Sequence, residues 1–560
     1  MGSHVMRLAV GSLAGIVALV ASAGWARAQD PPPGAIAALE WTFDSLRYLR
    51  DQLDVTRSRG AVRSIHGVEA TQLAVDYAVM RRAFEDQVAA LGNGPLSRRE
   101  RVVIGAMGTA FRGSLGPDQG NSSVTPMRQP WCDYDAMAVA MAPGGLDSLQ
   151  ARIFGCYSAA TQGIAVDRDT LDRLSILSLL GTIEDRGGRE RLFRALGRVW
   201  STVNGHDETA SPYRLTIPLR RRAWGRTTPM AKRAADLGLT AAEVERWLEA
   251  ALGAWRAGLP DTVLEPWDFY HHNGAMSRRL SARVPRDSLL AINHRFYRSL
   301  GADPVALNIQ YDLQPRAGKY PIAFSTFGAR SVERNGEWTR GEPWVFASYR
   351  IGGIDNLAEL LHETGHGIHI AAIRVRPALH DWPDSDTFTE GIAGLAGLDL
   401  YEPAWQRMFL GDTATLAESI RAKYAAVMLD MAWALFEFRV HRAGAKSPNQ
   451  VWTDITSHYL KVRPHPELSW WAMRGQLIES PGYLLNYALG AFLVADLRQA
   501  AAKKFGASAT GNPAWYLRSS ESLYRYGLEK PAREVIKEFL GRSVSPQALL
   551  DDLARIGQTP

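Results

Sequence analysis

Apolar residues recur at three- and four-residue steps along much of this chain, the period of helices that bury one face. Residues 39–53, 68–91 and 97–111 read this way, and the spacing returns from Cys132 to about Trp200 with breaks at Gly144-Gly145 and Gly187-Gly188. Thr240-Ala241-Ala242-Glu243 is a capping box, so a helix is predicted to open there with Trp247, Leu248, Ala251 and Trp255 on its buried side. Residues 113–130 and 204–212 are rich in turn formers and read as breaks. The texture changes near Pro304. Residues 306–313, 320–327 and 344–349 are short and rich in β-branched and aromatic residues, with Pro315, Gly318, Gly328 and Asn335-Gly336 between them. They predict a small sheet with an edge strand that could pair with an extended peptide. Helical spacing resumes near Leu395 and runs through 416–441 and 483–504. The pattern is that of a mainly α chain.

The most informative helix follows the predicted sheet. Ile354, Leu357, Ala358, Leu361, Ile368 and Ala371 keep helical spacing, and Pro377 limits its continuation. Inside it, His362 and His366 stand one turn apart on one face. Two imidazoles so placed can hold one zinc ion, and Glu363, next round the turn, can act as general base on a metal-bound water. Glu390 lies 24 residues after His366, beyond a turn-rich link, in an Ala/Leu/Gly-rich segment 390–400 that reads as a second helix. A carboxylate there completes a His2Glu set and leaves a fourth position for water. His369 could also turn toward the metal, although nothing at Ala372 supports a longer His run. Glu359 is either a partner that orients a ligand or a solvated carboxylate. The bland alternative is a solvated His pair in a chance five-residue pattern. The chain has only 13 His in 560 residues, which weighs against chance.

Composition narrows the class. With 46% hydrophobic and 22% charged residues the chain is ordinary globular protein. Its start is different: Arg7, an apolar run over 8–23, then Ala26-Arg27-Ala28 predict a signal peptide over residues 1–28. Export to the periplasm or the medium is therefore expected, with no stable membrane insertion after cleavage. A retained anchor is the rival reading. Cleavage lowers the formal charge from +6 by two, a mild excess that argues against dedicated nucleic-acid binding. In an exported chain Cys132 and Cys156 would form one disulfide, two free thiols being the alternative.

Several separated motifs resemble the thimet oligopeptidase and oligoendopeptidase F family of zinc peptidases. Glu265-Pro266-Trp267-Asp268-Phe269-Tyr270 is similar to its Pro-Trp-Asp-x-x-Tyr element, with the Tyr one place early. Asp312-Leu313-Gln314-Pro315-Arg316-Ala317-Gly318-Lys319 resembles its Asp-Leu-x-x-Arg-x-Gly-Lys element, and the run from His362 to His369 its His-Glu-x-Gly-His-x-x-His. Glu390 falls at the family's spacing for the third ligand, and Pro481-Gly482-Tyr483-Leu484-Leu485-Asn486-Tyr487 looks like its Tyr-rich segment. That segment usually follows a His. Residues 474–482 contain none, and Gln476 is the nearest neutral polar residue. The Gly-rich run after Glu390 and the export signal leave room for the angiotensin-converting-enzyme family.

The resemblance implies a two-lobed helical fold with a deep central channel and the small sheet beside the zinc helix. A region 29–260 and a catalytic region 261–560 would form one unit. It implies one Zn2+ held by His362, His366 and Glu390, Glu363 as base, and Tyr483 and Tyr487 as oxyanion donors. The expected activity is hydrolysis of short unstructured peptides. Removal of C-terminal dipeptides and non-catalytic peptide binding are the alternatives.

Overall fold

The computed structural model describes residues 34–91, 96–116, 132, 145–161, 163–316, 319–320, 323–334 and 336–557. The expected signal peptide, most of the 113–130 break, and Ala317 and Gly318 lie outside the described residues. Helices dominate, as the periodicity predicts. The first unit is a group of three helices, α1 (Ala35–Ser58), α2 (Ala70–Leu91) and α3 (Arg98–Arg112), with a core of its own from Leu39, Phe43, Leu73, Tyr77, Phe84 and Met107. Ser97 and Glu100 form a reciprocal capping box that starts α3.

The main core is continuous from Leu149 to Ile556 and crosses residue 260, so the two expected regions share it. Helix α4 (Gly145–Ala160) enters it and carries Cys156, which is disulfide-bonded to Cys132. One expectation is corrected here. Within the stretch read as helical, Ile164–Val166 and Asp169–Leu171 form a two-stranded antiparallel hairpin. Its turn needs a left-handed residue, which Asp167 supplies at φ 53°. Helix α5 (Ala241–Gly258) opens at the Thr240–Glu243 capping box and buries Leu248, Ala251 and Trp255 as predicted; Trp247 stays half-buried and meets Phe492 edge-on.

The predicted sheet forms from β1 (Gln310–Asp312), β2 (Phe324–Ala329) and β3 (Glu342–Phe346). Strand β3 is central, parallel to β1 and antiparallel to β2, with a register shift between Phe327 and Ala329. The Asp-Leu-x-x-Arg-x-Gly-Lys element acts as a strut at its edge. Arg316 forks onto Asp312 at 2.7 and 2.6 Å and reaches the Arg59 carbonyl at 2.6 Å, beyond the end of α1. The buried Lys319 ammonium donates to the Asp312 carbonyl at 2.7 Å and to the Ala347 carbonyl.

Among the other helices, those that position the candidate site are α6 (Ile354–Ala372), α7 (Asp386–Gly397), α8 (Leu416–Val440) and α9 (Leu484–Phe505). The link between α6 and α7 is fastened to α1 by buried charge. Arg47 meets Asp381 at 2.7 Å and donates to the Pro377 carbonyl at 2.9 Å. Arg330 bridges Asp51 at 3.1 Å and the His380 carbonyl at 2.6 Å. Burial pushes the Asp51 carboxyl up to about 7, against the pull of Arg330 and Arg47. Among the described residues no helix is long and apolar enough to cross a membrane.

Candidate metal centre

Helix α6 is apolar through Leu357, Leu360, Leu361 and Ile368, and those side chains are buried. That buried face fixes which way His362 and His366 project. Helix α7 starts where the Ser385 hydroxyl accepts the Phe388 amide, and one turn on it presents Glu390. The two helices touch through backbone. A Cβ at Gly365 would sit 2.1 Å from the Ala393 carbonyl oxygen, and one at Gly397 3.3 Å from the Leu361 carbonyl carbon. Gly365 on α6 and Gly397 on α7 thus have a physical reason: only glycine at these two positions lets the helices come this close.

This approach brings His362, His366 and Glu390 together, with one ligand atom from each lying within 4.8 Å of the others. His362 Nε2 is 3.5 Å from Glu390 Oε2, and His366 Nε2 is 3.9 Å from Glu390 Oε1. Tetrahedral zinc with bonds of 2.0–2.2 Å sets its ligand atoms about 3.4 Å apart, so the spacing fits a single ion. The His362 and Glu390 side chains are each 35% exposed against 9% for His366, so the centre opens to solvent on that side. Burial, with the charge of His362, pushes His366 down to about 3. It is therefore the neutral imidazole a metal requires. Burial acts to raise Glu390, but its hydrogen bond to His362 holds it below its ordinary range. It stays ionised.

Glu363 sits beside this group, and burial raises its carboxyl above the usual range. Ser325 of β2 lies 2.7 Å from Glu363 Oε2 and 2.8 Å from the Glu363 carbonyl oxygen, tying the sheet to Glu363. Nothing in the sequence singled Ser325 out. His369 does not join the three donors; it is fully buried between Trp382 and Tyr524, with both ring nitrogens unpartnered. Trp382 also stands edge-on to His366 at 5.6 Å. Glu359 is exposed, faces Tyr349 and His362, and is raised chiefly by the protein around it.

Tyr483 and Tyr487 open α9, half-buried, with ring centroids 5.6 Å apart. Burial comes first in raising both phenols, Tyr483 to about 12, and both feel the Glu390 charge. Gly482, at φ 81°, precedes them; its amide donates to the buried Glu437 at 2.7 Å, which fixes the turn. Gln476 hydrogen-bonds Tyr487 and works against the upward shift.

No protein-family model matches the chain, and neither does any curated protein. Solved structures do resemble it. An M32 carboxypeptidase from Deinococcus radiodurans R1 aligns over 92% of this chain and 96% of its own, with TM-score 0.53 and 15% identity. A Trypanosoma cruzi metallocarboxypeptidase 1 aligns over 94% and 99%, with TM-score 0.49 and 15% identity. At this identity the likeness to the Deinococcus structure shows a shared, mainly helical fold and no more. The narrower family assignment rests on the sequence motifs alone.

Proposed function

We propose that this chain is a zinc-dependent peptidase of short, unstructured peptides, working from their C-terminal end. One observation carries the metal chemistry: His362, His366 and Glu390 converge at single-ion spacing beside the enclosed Glu363. The end preference is taken from the M32 carboxypeptidase likeness. Internal cutting is the second reading, supported by the oligoendopeptidase-like motifs around Asp312 and Tyr483.

His362, His366 and Glu390 would hold the ion. Bound zinc would lower the pKa of a water ligand to about 7 and polarise the scissile carbonyl. Glu363 takes the proton of the attacking water while Ser325 holds its other oxygen, then returns it to the leaving amine. Its raised carboxyl suits a group that must hold a proton between two steps. The Tyr483 and Tyr487 phenols stay protonated and donate to the carbonyl oxygen as negative charge builds there.

The test uses mature protein loaded with zinc, beside its Glu363→Gln variant, and a mixed-length peptide library read by mass spectrometry. Loss of single C-terminal residues, absent in the variant, is expected. Internal cuts would move the reading to oligopeptidases, and dipeptide loss to converting-enzyme relatives. No cleavage despite bound zinc would make this a peptide-binding protein. Near-wild-type turnover by Glu363→Gln would remove Glu363 as the base.

A further inference from the structure

Tyr487 is gripped from one side by a charged group that the mechanism above does not use. The Arg474 guanidinium carbon lies 5.5 Å from the Tyr487 ring centroid and 5.0 Å from that of Trp433. The cation is thus lodged between a site residue and a buried indole of α8, within the range of cation–π attraction. Its Nη2 is 3.0 Å from Oδ1 of Asp430, also on α8, whose side chain is only 15% exposed. Arg474 Nε is buried without a hydrogen-bond partner. Arg474 is the one cationic residue in 474–482, the stretch that carries no His.

We propose that Arg474, anchored by Asp430 and Trp433, is a positioning residue for Tyr487 and lends its phenol positive charge as the oxyanion forms. The proposal rests on the peptidase reading. A guanidinium suits the task because it is flat enough to stack and stays charged at every working pH. A neutral Gln at 476 can orient the phenol but adds no charge. The charged groups facing Tyr487 are Arg474, Asp430 and Glu390, and Arg474 is the cation among them. Asp430, raised by burial and drawn down by Arg474, is the counter-charge that keeps the guanidinium in place.

Removing one oxyanion-hole donor costs about 10²–10³ in kcat. Losing only its positioning should cost less. Arg474→Met is expected to lower kcat roughly 10- to 100-fold, with KM within about 3-fold and zinc content unchanged. Arg474→Lys keeps the charge and loses the stack, so it should fall between. Arg474→Met/Asp430→Asn removes the stranded carboxylate and guards against misfolding; its kinetics should match Arg474→Met. The decisive comparison is Tyr487→Phe with and without Arg474→Met. Acting through Tyr487, Arg474 has nothing further to lose in that background. An equal fall in kcat with or without the Tyr487 hydroxyl, or an unchanged kcat in Arg474→Met, overturns the proposal. A second readout needs no turnover. The tyrosinate absorbance of Tyr487, isolated by difference against Tyr487→Phe, should titrate at higher pH in Arg474→Met. If the wild type shows no Glu363-dependent turnover, the peptidase reading fails by itself. An unmoved Tyr487 titration then decides against Arg474 separately.

Discussion

Replacing Gly365 with Ala sets two known effects against each other. In a helix interior Ala is favoured over Gly by roughly 0.5–1 kcal/mol. Here the added methyl would stand 2.1 Å from the Ala393 carbonyl oxygen and 2.8 Å from its carbon. Carbon and carbonyl oxygen approach to about 3.3 Å, so α6 and α7 would have to part by about 1.2 Å. Overpacking of this kind costs about 1–3 kcal/mol, which outweighs the propensity gain. The functional effect should be larger than the loss of stability. Glu390 rides on α7, and ligand distances tolerate only about 0.2 Å. Gly365→Ala is therefore expected to fold, melt slightly lower and bind zinc at least about 100-fold more weakly, beyond the 10- to 100-fold typical of disturbed outer-shell partners. Titration against a competing chelator measures the affinity, and circular dichroism the melting. Gly394→Ala, on the facing helix α7, is the control, because its methyl would meet only side chains, at 3.6 Å. That variant should keep wild-type affinity. If Gly365→Ala binds zinc within 3-fold of wild type, the close backbone contact does not set the ligand geometry.

Asp552 pairs with the buried Lys423 at 2.7 Å; burial opposes its ionisation, yet Lys423 and Tyr424 hold its carboxyl down at about 2. A depressed carboxylate stabilises above its unfolded value and loses that contribution as pH falls through the folded one. Asp552→Asn should thus cost about 2 kcal/mol at pH 7, and the gap should close between roughly pH 4 and pH 2 in denaturant melts. Reducing the Cys132–Cys156 disulfide, whose sequence separation is 24, should lower stability by about 3 kcal/mol, seen as a drop in denaturation midpoint with reductant or in Cys132→Ser. If residues 1–28 are a cleaved export signal, the full chain expressed in a bacterial host should be recovered outside the cytoplasm with Gln29 as its first residue; N-terminal sequencing reads this directly.

Much of this site was legible because its chemistry lies close together in the chain. His362, Glu363 and His366 share one helix whose apolar spacing fixes their direction, and the link to Glu390 is short. The sheet was legible as three short runs, but its strands begin and end up to four residues away from the predicted bounds. Three-residue strands such as Gln310–Asp312 have too few alternations to mark their own ends. The Ile164–Leu171 hairpin was missed for the same reason. Ser325, Asp430 and Arg474 could not be singled out, because each acquires its role only from a partner distant in sequence. Of the glycines after Glu390, which depart from the motif, Gly397 is the one required by the close approach of α7 to the Leu361 backbone.

The fastening of α1 has a consequence for how the protein is made. Arg47 finds its hydrogen-bond partners 330 to 334 residues later, Glu40 finds Arg376 336 residues later, and Gln52 reaches the Gly328 carbonyl 276 residues on. A ribosome delivers α1 first and its partners only after most of the chain has emerged. Until then α1 has its neighbour α2 to pack against but not the sheet or the link between α6 and α7. Long-range closure of this kind is slow, and it leaves the early chain open to whatever escorts unfolded polypeptides. The link that α1 fastens joins the two helices of the candidate metal centre, so the final geometry of that centre waits on this closure.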